Sequence, residues 1–114
     1  MNNFNLEQHG LQIFQNFLSP AMRKEIVSEF EQFTLEHNNY ALRNAEKKLS
    51  SVQQLVHSTK LINHARKLLL ASPKLVRVIL FDKTPSNNWL VTWHQDKTIA
   101  VNKRVVIADW GPWS

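Results

Sequence analysis

The C-terminal part of the chain decides the fold: residues 76–114 read VRVILFDKTPSNNWLVTWHQDKTIAVNKRVVIADWGPWS. Residues 76–81 are apolar on both alternating faces apart from Arg77, which predicts a strand in the centre of a sheet. Residues 84–88 have the composition of a turn. We predict a second strand over residues 89–96, its continuation over 98–101 and a further strand over 105–108.

Within this region, His94 and Asp96 are the candidate metal ligands. Side chains at positions i and i+2 of a strand project from the same face, so this imidazole and this carboxylate would lie side by side. Two histidines and one carboxylate bind Fe(II) on one face and leave the remaining positions open. The motif alone is a weak signal, because an H-x-D triplet arises easily by chance among five histidines. The alternative is that His94 and Asp96 form a hydrogen-bonded pair at a strand end.

Residues 76–114 contain, in this order, a predicted strand followed by Lys83-Thr84-Pro85, then Asn88-Trp89, Trp93-His94-Gln95-Asp96 and Gly111-Pro112-Trp113-Ser114. This order of motifs resembles that of the phytanoyl-CoA dioxygenase family. Residues 6–20 are similar to the family's entry segment, and residues 43–46 to a loop of its members.

This resemblance implies a non-haem Fe(II)- and 2-oxoglutarate-dependent dioxygenase, a hydroxylase acting on a small-molecule substrate. His94 and Asp96 would bind Fe(II), and 2-oxoglutarate would be the co-substrate. Lys83 is a candidate for meeting a carboxylate of that co-substrate, or else a solvated residue beside a turn. Arg43 would contact substrate or brace its loop.

The family's second iron-binding histidine and its 2-oxoglutarate-binding arginine lie further downstream than His94. Residues 95–114 contain no histidine, and Arg104 comes too early in the pattern. We therefore expect the chain to be the N-terminal portion of such an enzyme, inactive by itself. Trp110 and Trp113 would then dock on the remaining part.

The predicted fold class is α+β, in one partial domain. Residues 1–74 are expected to be mainly helical, and residues 75–114 to form the first strands of a double-stranded β-helix, or jelly roll. The resemblance implies this sheet architecture. The candidate strands are fewer than the roughly eight that a jelly roll needs, so it would be incomplete.

Local signals predict the helical part. Residues 6–9 should form one helical turn closed by Gly10, and residues 11–14 a short strand. Ser19-Pro20 predicts the start of a helix that reaches about residue 36. The apolar stripe of that helix consists of Met22, Ile26, Phe30 and Phe33, with Val27 beside it.

Two further helices are predicted before the strands begin. Ser51 is the expected cap of a short helix that ends at Val56, and Ser58 or Thr59 begins a longer one that ends before Ser72-Pro73. His57 and His64 are expected at the surface or its edge. The buried side of the second helix should hold Leu61, Ile62, Ala65, Leu68 and Leu69.

Composition limits the remaining possibilities. With 43% apolar and 20% charged residues the chain reads as globular, and it has no apolar run long enough for a membrane span. The absence of cysteine excludes disulfide and thiolate chemistry. The N-terminus lacks the pattern of a secretory signal, so the cytoplasm is the default location.

The formal charge of +5 comes from scattered basic residues, so we predict neither a nucleic-acid nor a membrane partner. Two alternatives to the enzyme stay open: a non-catalytic module that binds an anionic partner, and an inactive truncated product. The sequence does not indicate which substrate is used or the oligomeric state.

Overall fold

The computed structural model describes residues 4–94, 101–109 and 111–112. In this part of the chain, helices α1 (Leu6–His9) and α2 (Pro20–His37) are followed by strand β1 (Ala41–Arg43) and a 3₁₀ turn (Ala45–Lys47). Helices α3 (Ser50–Val56) and α4 (Thr59–Leu69) and strand β2 (Ile79–Phe81) complete the order. The predicted mixture of helix and strand is confirmed, while a jelly roll is not shown.

The first two helices begin and end at the residues that the sequence indicates. The Ser19 hydroxyl accepts a hydrogen bond from the Met22 N–H at 3.1 Å, and Pro20 occupies the first turn of α2. Helix α1 ends at Gly10, whose φ of 69° is in the left-handed region. Asn38 ends α2 in the same conformation, with a φ of 49°.

The two strands pair antiparallel across a long stretch of sequence, with Leu42 opposite Leu80 and Arg43 opposite Ile79. Hydrogen bonds continue beyond both ends of this ladder, from the Asp82 N–H to the Tyr40 carbonyl and from the Ala45 N–H to the Val78 carbonyl. The strand predicted over residues 76–81 is thus shorter than expected, because β2 contains only Ile79–Phe81. The strand is also not in the centre of a sheet, because the sheet has two strands in the described residues.

The hydrophobic core lies where α2, the 3₁₀ turn, α3 and the sheet meet. Its buried apolar residues are Leu42, Ala45, Leu49 and Val52. The predicted stripe of α2 supplies Ile26, Phe30 and Phe33 to it, whereas Val27 is about half exposed. Burial of the apolar face thus explains why α2 packs as it does.

Three predicted strands are wrong in the described residues. Residues 11–14 have irregular backbone, and so do residues 89–94 and 105–108. Residues 95–100, which include Asp96 and most of the predicted 98–101 segment, lie outside the described residues. Helix α4 ends at Leu69 because Leu70 adopts a left-handed φ of 53°, before Ser72-Pro73 is reached.

The buried side of α4 is also smaller than predicted. Leu61, Ile62 and Ala65 are half-buried, but Leu68 and Leu69 are exposed. No helix within the described ranges is long and apolar enough to cross a membrane.

Candidate functional site

His94 is the described member of the predicted metal pair. Its Nδ1 lies 2.7 Å from the Thr92 carbonyl oxygen. A carbonyl oxygen only accepts hydrogen bonds, so Nδ1 is the donor in this contact. Metal-binding histidines commonly have this arrangement, in which one nitrogen donates to a carbonyl and the other binds the ion.

Asp96, the second predicted ligand, lies outside the described residues. Among the residues that the structure does describe, no cluster of three or more histidine, cysteine, aspartate or glutamate side chains is placed to hold a metal ion. The donor chemistry of His94 fits Fe(II), but the described part of the chain contributes this one predicted ligand and not a complete site.

Lys83 lies at the base of the turn that precedes His94. Its Nζ donates to the Trp89 carbonyl at 3.1 Å and lies 5.0 Å from the centroid of the Trp89 ring. The Trp89 ring also contacts Phe81 edge-on, with centroids 5.5 Å apart. Lys83 therefore braces the loop between β2 and Trp89, and its exposed ammonium keeps further donors for an anion.

The predicted turn over residues 84–88 is confirmed. The Asn87 N–H donates to the Thr84 carbonyl at 3.0 Å, and Pro85 follows Thr84 in the turn. The Asn87 side chain also donates to the Thr84 hydroxyl. This turn reverses the chain after β2 and leads into the segment that carries His94.

A groove of about 520 Å³ lies beside this turn, between residues 38–41 and residues 87–89. The first segment joins α2 to β1, and the second leaves the turn towards His94. Sequence analysis missed the groove because its two walls are far apart in the chain. The signal in the sequence is a pair of Asn-Asn doublets, at 38–39 and at 87–88.

A second groove, of about 750 Å³, runs between α2 and the start of α3. Glu29 lies in its wall and accepts hydrogen bonds from the Ser50 hydroxyl at 2.6 Å and from the Ser51 N–H and hydroxyl at 3.0 and 2.6 Å. These bonds, that from the Ser50 side chain foremost, lower the pKa of Glu29 below its ordinary value of 4.5.

The other histidines and Arg43 take separate positions. His57 is exposed as predicted, and its Nδ1 donates to the Gln53 carbonyl at 2.8 Å. His64 is half-buried, which agrees with the predicted position at the edge of the surface, but its Nε2 is buried and its ring contacts the rings of Phe14 and Phe17. Arg43 is exposed at the end of β1.

Comparisons with models of protein families, with curated proteins and with solved structures found no match. The resemblance to the phytanoyl-CoA dioxygenase family therefore depends on this chain's own motif residues.

Proposed function

We propose that this chain contributes the first two iron ligands, His94 and Asp96, to a Fe(II)- and 2-oxoglutarate-dependent dioxygenase of the phytanoyl-CoA dioxygenase type. The observation that carries the proposal is the order of Lys-x-Pro, Asn-Trp and Trp-His-x-Asp along the sequence. The hydrogen bond from His94 Nδ1 to the Thr92 carbonyl supports it, because it orients the imidazole ring in a way that is common among metal-binding histidines.

In this proposal each residue has a defined task. His94 stays neutral and is oriented by the Thr92 carbonyl, while Asp96 is ionised and lowers the net charge around the cation. Lys83, held against Trp89, offers its ammonium to a carboxylate of 2-oxoglutarate. Bound Fe(II) and 2-oxoglutarate would together supply the hydroxylation of a C–H bond in a small substrate.

The proposed enzyme further needs a third iron ligand and an arginine for 2-oxoglutarate, in addition to the residues named above. An N-terminal portion of a double-stranded β-helix is the corresponding finer proposal for the fold. The half-site alone is then expected to bind metal weakly and to have no hydroxylase activity.

Anaerobic titration with Fe(II) tests the metal site directly. We expect weak binding that is lost in His94→Ala and in Asp96→Asn, and that 2-oxoglutarate strengthens only slightly. His57→Ala is the matched control, because His57 is exposed and also donates from Nδ1 to a backbone carbonyl. Equal Fe(II) binding by the parent, His94→Ala and His57→Ala proteins would overturn the assignment of His94.

A non-catalytic anion-binding module is a second candidate. The formal charge of +5 and the exposed Lys83 ammonium favour it. Binding of an anionic partner should then weaken steeply with salt and be indifferent to Fe(II). Salt titration and Fe(II) titration of the same protein therefore separate the two candidates.

A further inference from the structure

The groove between residues 38–41 and residues 87–89 has firmly positioned walls. On one wall, the Asn38 N–H donates to the Thr34 carbonyl at 2.8 Å, and the Asn39 side-chain oxygen accepts from the Ala41 N–H at 3.1 Å. On the other, Asn87 is bonded to Thr84 through its backbone and its side chain. The sheet joins the two walls through the Asp82 to Tyr40 hydrogen bond, so the groove is formed before any ligand arrives.

The lining of this groove combines polar groups with apolar surface and carries no ionisable acid or base apart from the tyrosine phenol. Four asparagine amides, the Tyr40 hydroxyl and the Trp89 ring surround it. The side chains of Asn38, Asn88 and Tyr40 make no hydrogen bonds to other described residues. The amides of Asn38 and Asn88 therefore offer both donors and an acceptor, and the Tyr40 phenol offers one donor and an acceptor.

Those groups match a ligand that has several hydroxyls, because a hydroxyl also donates and accepts. A charged ligand would find no opposite charge among the lining residues. Trp89 adds an apolar surface, and it is still about one third exposed although its edge meets Phe81. Aromatic rings pack well against the C–H face of a saturated ring.

We propose that this groove binds an uncharged, polyhydroxylated ring compound of the monosaccharide class. Its volume of about 520 Å³ accommodates one such ring and lies within the usual range for small-molecule sites, about 300–1,000 Å³. The site is independent of the proposed iron ligands, so either proposal stands if the other fails.

NMR titration of the whole chain with D-glucose tests this site. Binding with a Kd of about 1–10 mM is weak, so the titration extends to about 100 mM. We expect shifts in the backbone amides of residues 38–41 and 87–89 and in the ring of Tyr40, which is the sole tyrosine of the sequence and is therefore unambiguous.

Two variants and one control locate the binding. Tyr40→Phe removes only a hydroxyl and Asn88→Leu one amide, and each should weaken glucose binding about fivefold to tenfold. Asn63→Leu, an exposed position on α4 outside the groove, should leave it unchanged. The absence of glucose-dependent shifts, or equal shifts in all these proteins, would overturn the proposal.

Glucose 6-phosphate separates this site from an anion site at Lys83. We expect it to bind no more tightly than glucose. Tighter binding that Lys83→Met abolishes would instead show that the ammonium is the recognition group, and the neutral-ligand proposal would be wrong.

Discussion

Glu29 caps helix α3 from a different helix. Leu49, the residue before α3, has no side chain that accepts a hydrogen bond, and the Glu29 carboxylate bonds Ser50 and Ser51 in its place. Negative charge at a helix N-terminus is also favourable to the helix dipole. Glu29 thus performs the task that the sequence assigned to Ser51.

Glu29→Ala is expected to lower the free energy of unfolding by about 2 kcal/mol, because it removes charge-assisted hydrogen bonds from partly buried groups. Urea denaturation measures this change. Glu31→Ala, on the exposed side of the same helix, should change it by less than about 0.5 kcal/mol. Equal effects of the two substitutions would contradict the capping role.

The same carboxylate makes stability depend on pH. The folded-state pKa of Glu29 is lowered, so its contribution is fully present above the unfolded-state pKa and is lost as pH falls through the folded-state value. Urea denaturation at a series of pH values below neutrality should show this loss. In Glu29→Gln the free energy of unfolding should fall less steeply as the pH is lowered. An unchanged slope would mean that other groups cause the pH dependence.

His64 carries a buried nitrogen without a hydrogen-bond partner in the described part of the chain. Its ring lies 4.0 Å from the Phe14 ring and 5.1 Å from the Phe17 ring, centroid to centroid, both nearly edge-on. This contact, together with the Lys60 ammonium that donates to the Phe17 carbonyl, fixes residues 14–17 against α4. The histidine is therefore used for packing.

His64→Leu should keep or raise the melting temperature, because it removes a buried unpaired polar atom while preserving the apolar contact. His64→Ala should lower stability by about 1–3 kcal/mol through the cavity it leaves. Thermal unfolding of both, with exposed His57→Leu as control, checks this. A large decrease in the melting temperature of His64→Leu would contradict this expectation and would mean that Nε2 interacts favourably with the aromatic rings.

At the scale of elements, Glu46 connects the 3₁₀ turn to β2. Its side chain is nearly buried and accepts a hydrogen bond from the Val78 N–H at 3.0 Å. The Val78 carbonyl in turn accepts from the Ala45 N–H at 3.1 Å. These two bonds extend the pairing of β1 and β2 by one residue at the edge of the core.

Glu46→Ala should lower the free energy of unfolding by about 2 kcal/mol, because it leaves the Val78 N–H without its hydrogen-bond partner. Hydrogen exchange of the Val78 amide should accelerate, which distinguishes this effect from a general loss of stability. Lys47→Ala, at the adjacent exposed position, serves as control. Unchanged Val78 exchange in Glu46→Ala would show that other contacts hold this strand.

The elements that the sequence predicts well are those with local signals. Helix α2 begins at Ser19-Pro20 because its cap is made within three residues, and Gly10 ends α1 for the same reason. Strand β1 has three residues and no alternation of its own. This strand forms because it pairs with β2, and a partner so distant in the sequence cannot be recognised from the local residue pattern.

The same distinction applies to the candidate sites at the scale of the whole molecule. His94 and Asp96 are close in sequence, so a short motif suffices to single them out. The Asn-rich groove and the Glu29 cap join residues that are distant in the chain. The orientation of the His94 ring also depends on the Thr92 carbonyl, a backbone group that no residue pattern identifies.

The molecule is less compact than its length predicts. Its radius of gyration is 16.7 Å, against about 13 Å for a closely packed domain of similar length. The large apolar side chains of Leu90, Trp93 and Val106 are almost fully exposed. They belong to the irregular C-terminal segments, and the core is built without them.

The pairing of Ala41 with Phe81 also sets the order of events during synthesis. When β1 leaves the ribosome, about 40 further residues must follow before its partner exists, which takes about 2–8 s at ordinary translation rates. Helix α2 precedes β1, and the 3₁₀ turn and α3 emerge within that interval, but the side of the core that Val78 and Leu80 cover stays open until β2 follows. The nascent chain therefore exposes this apolar surface for seconds, the interval in which chaperones bind such segments.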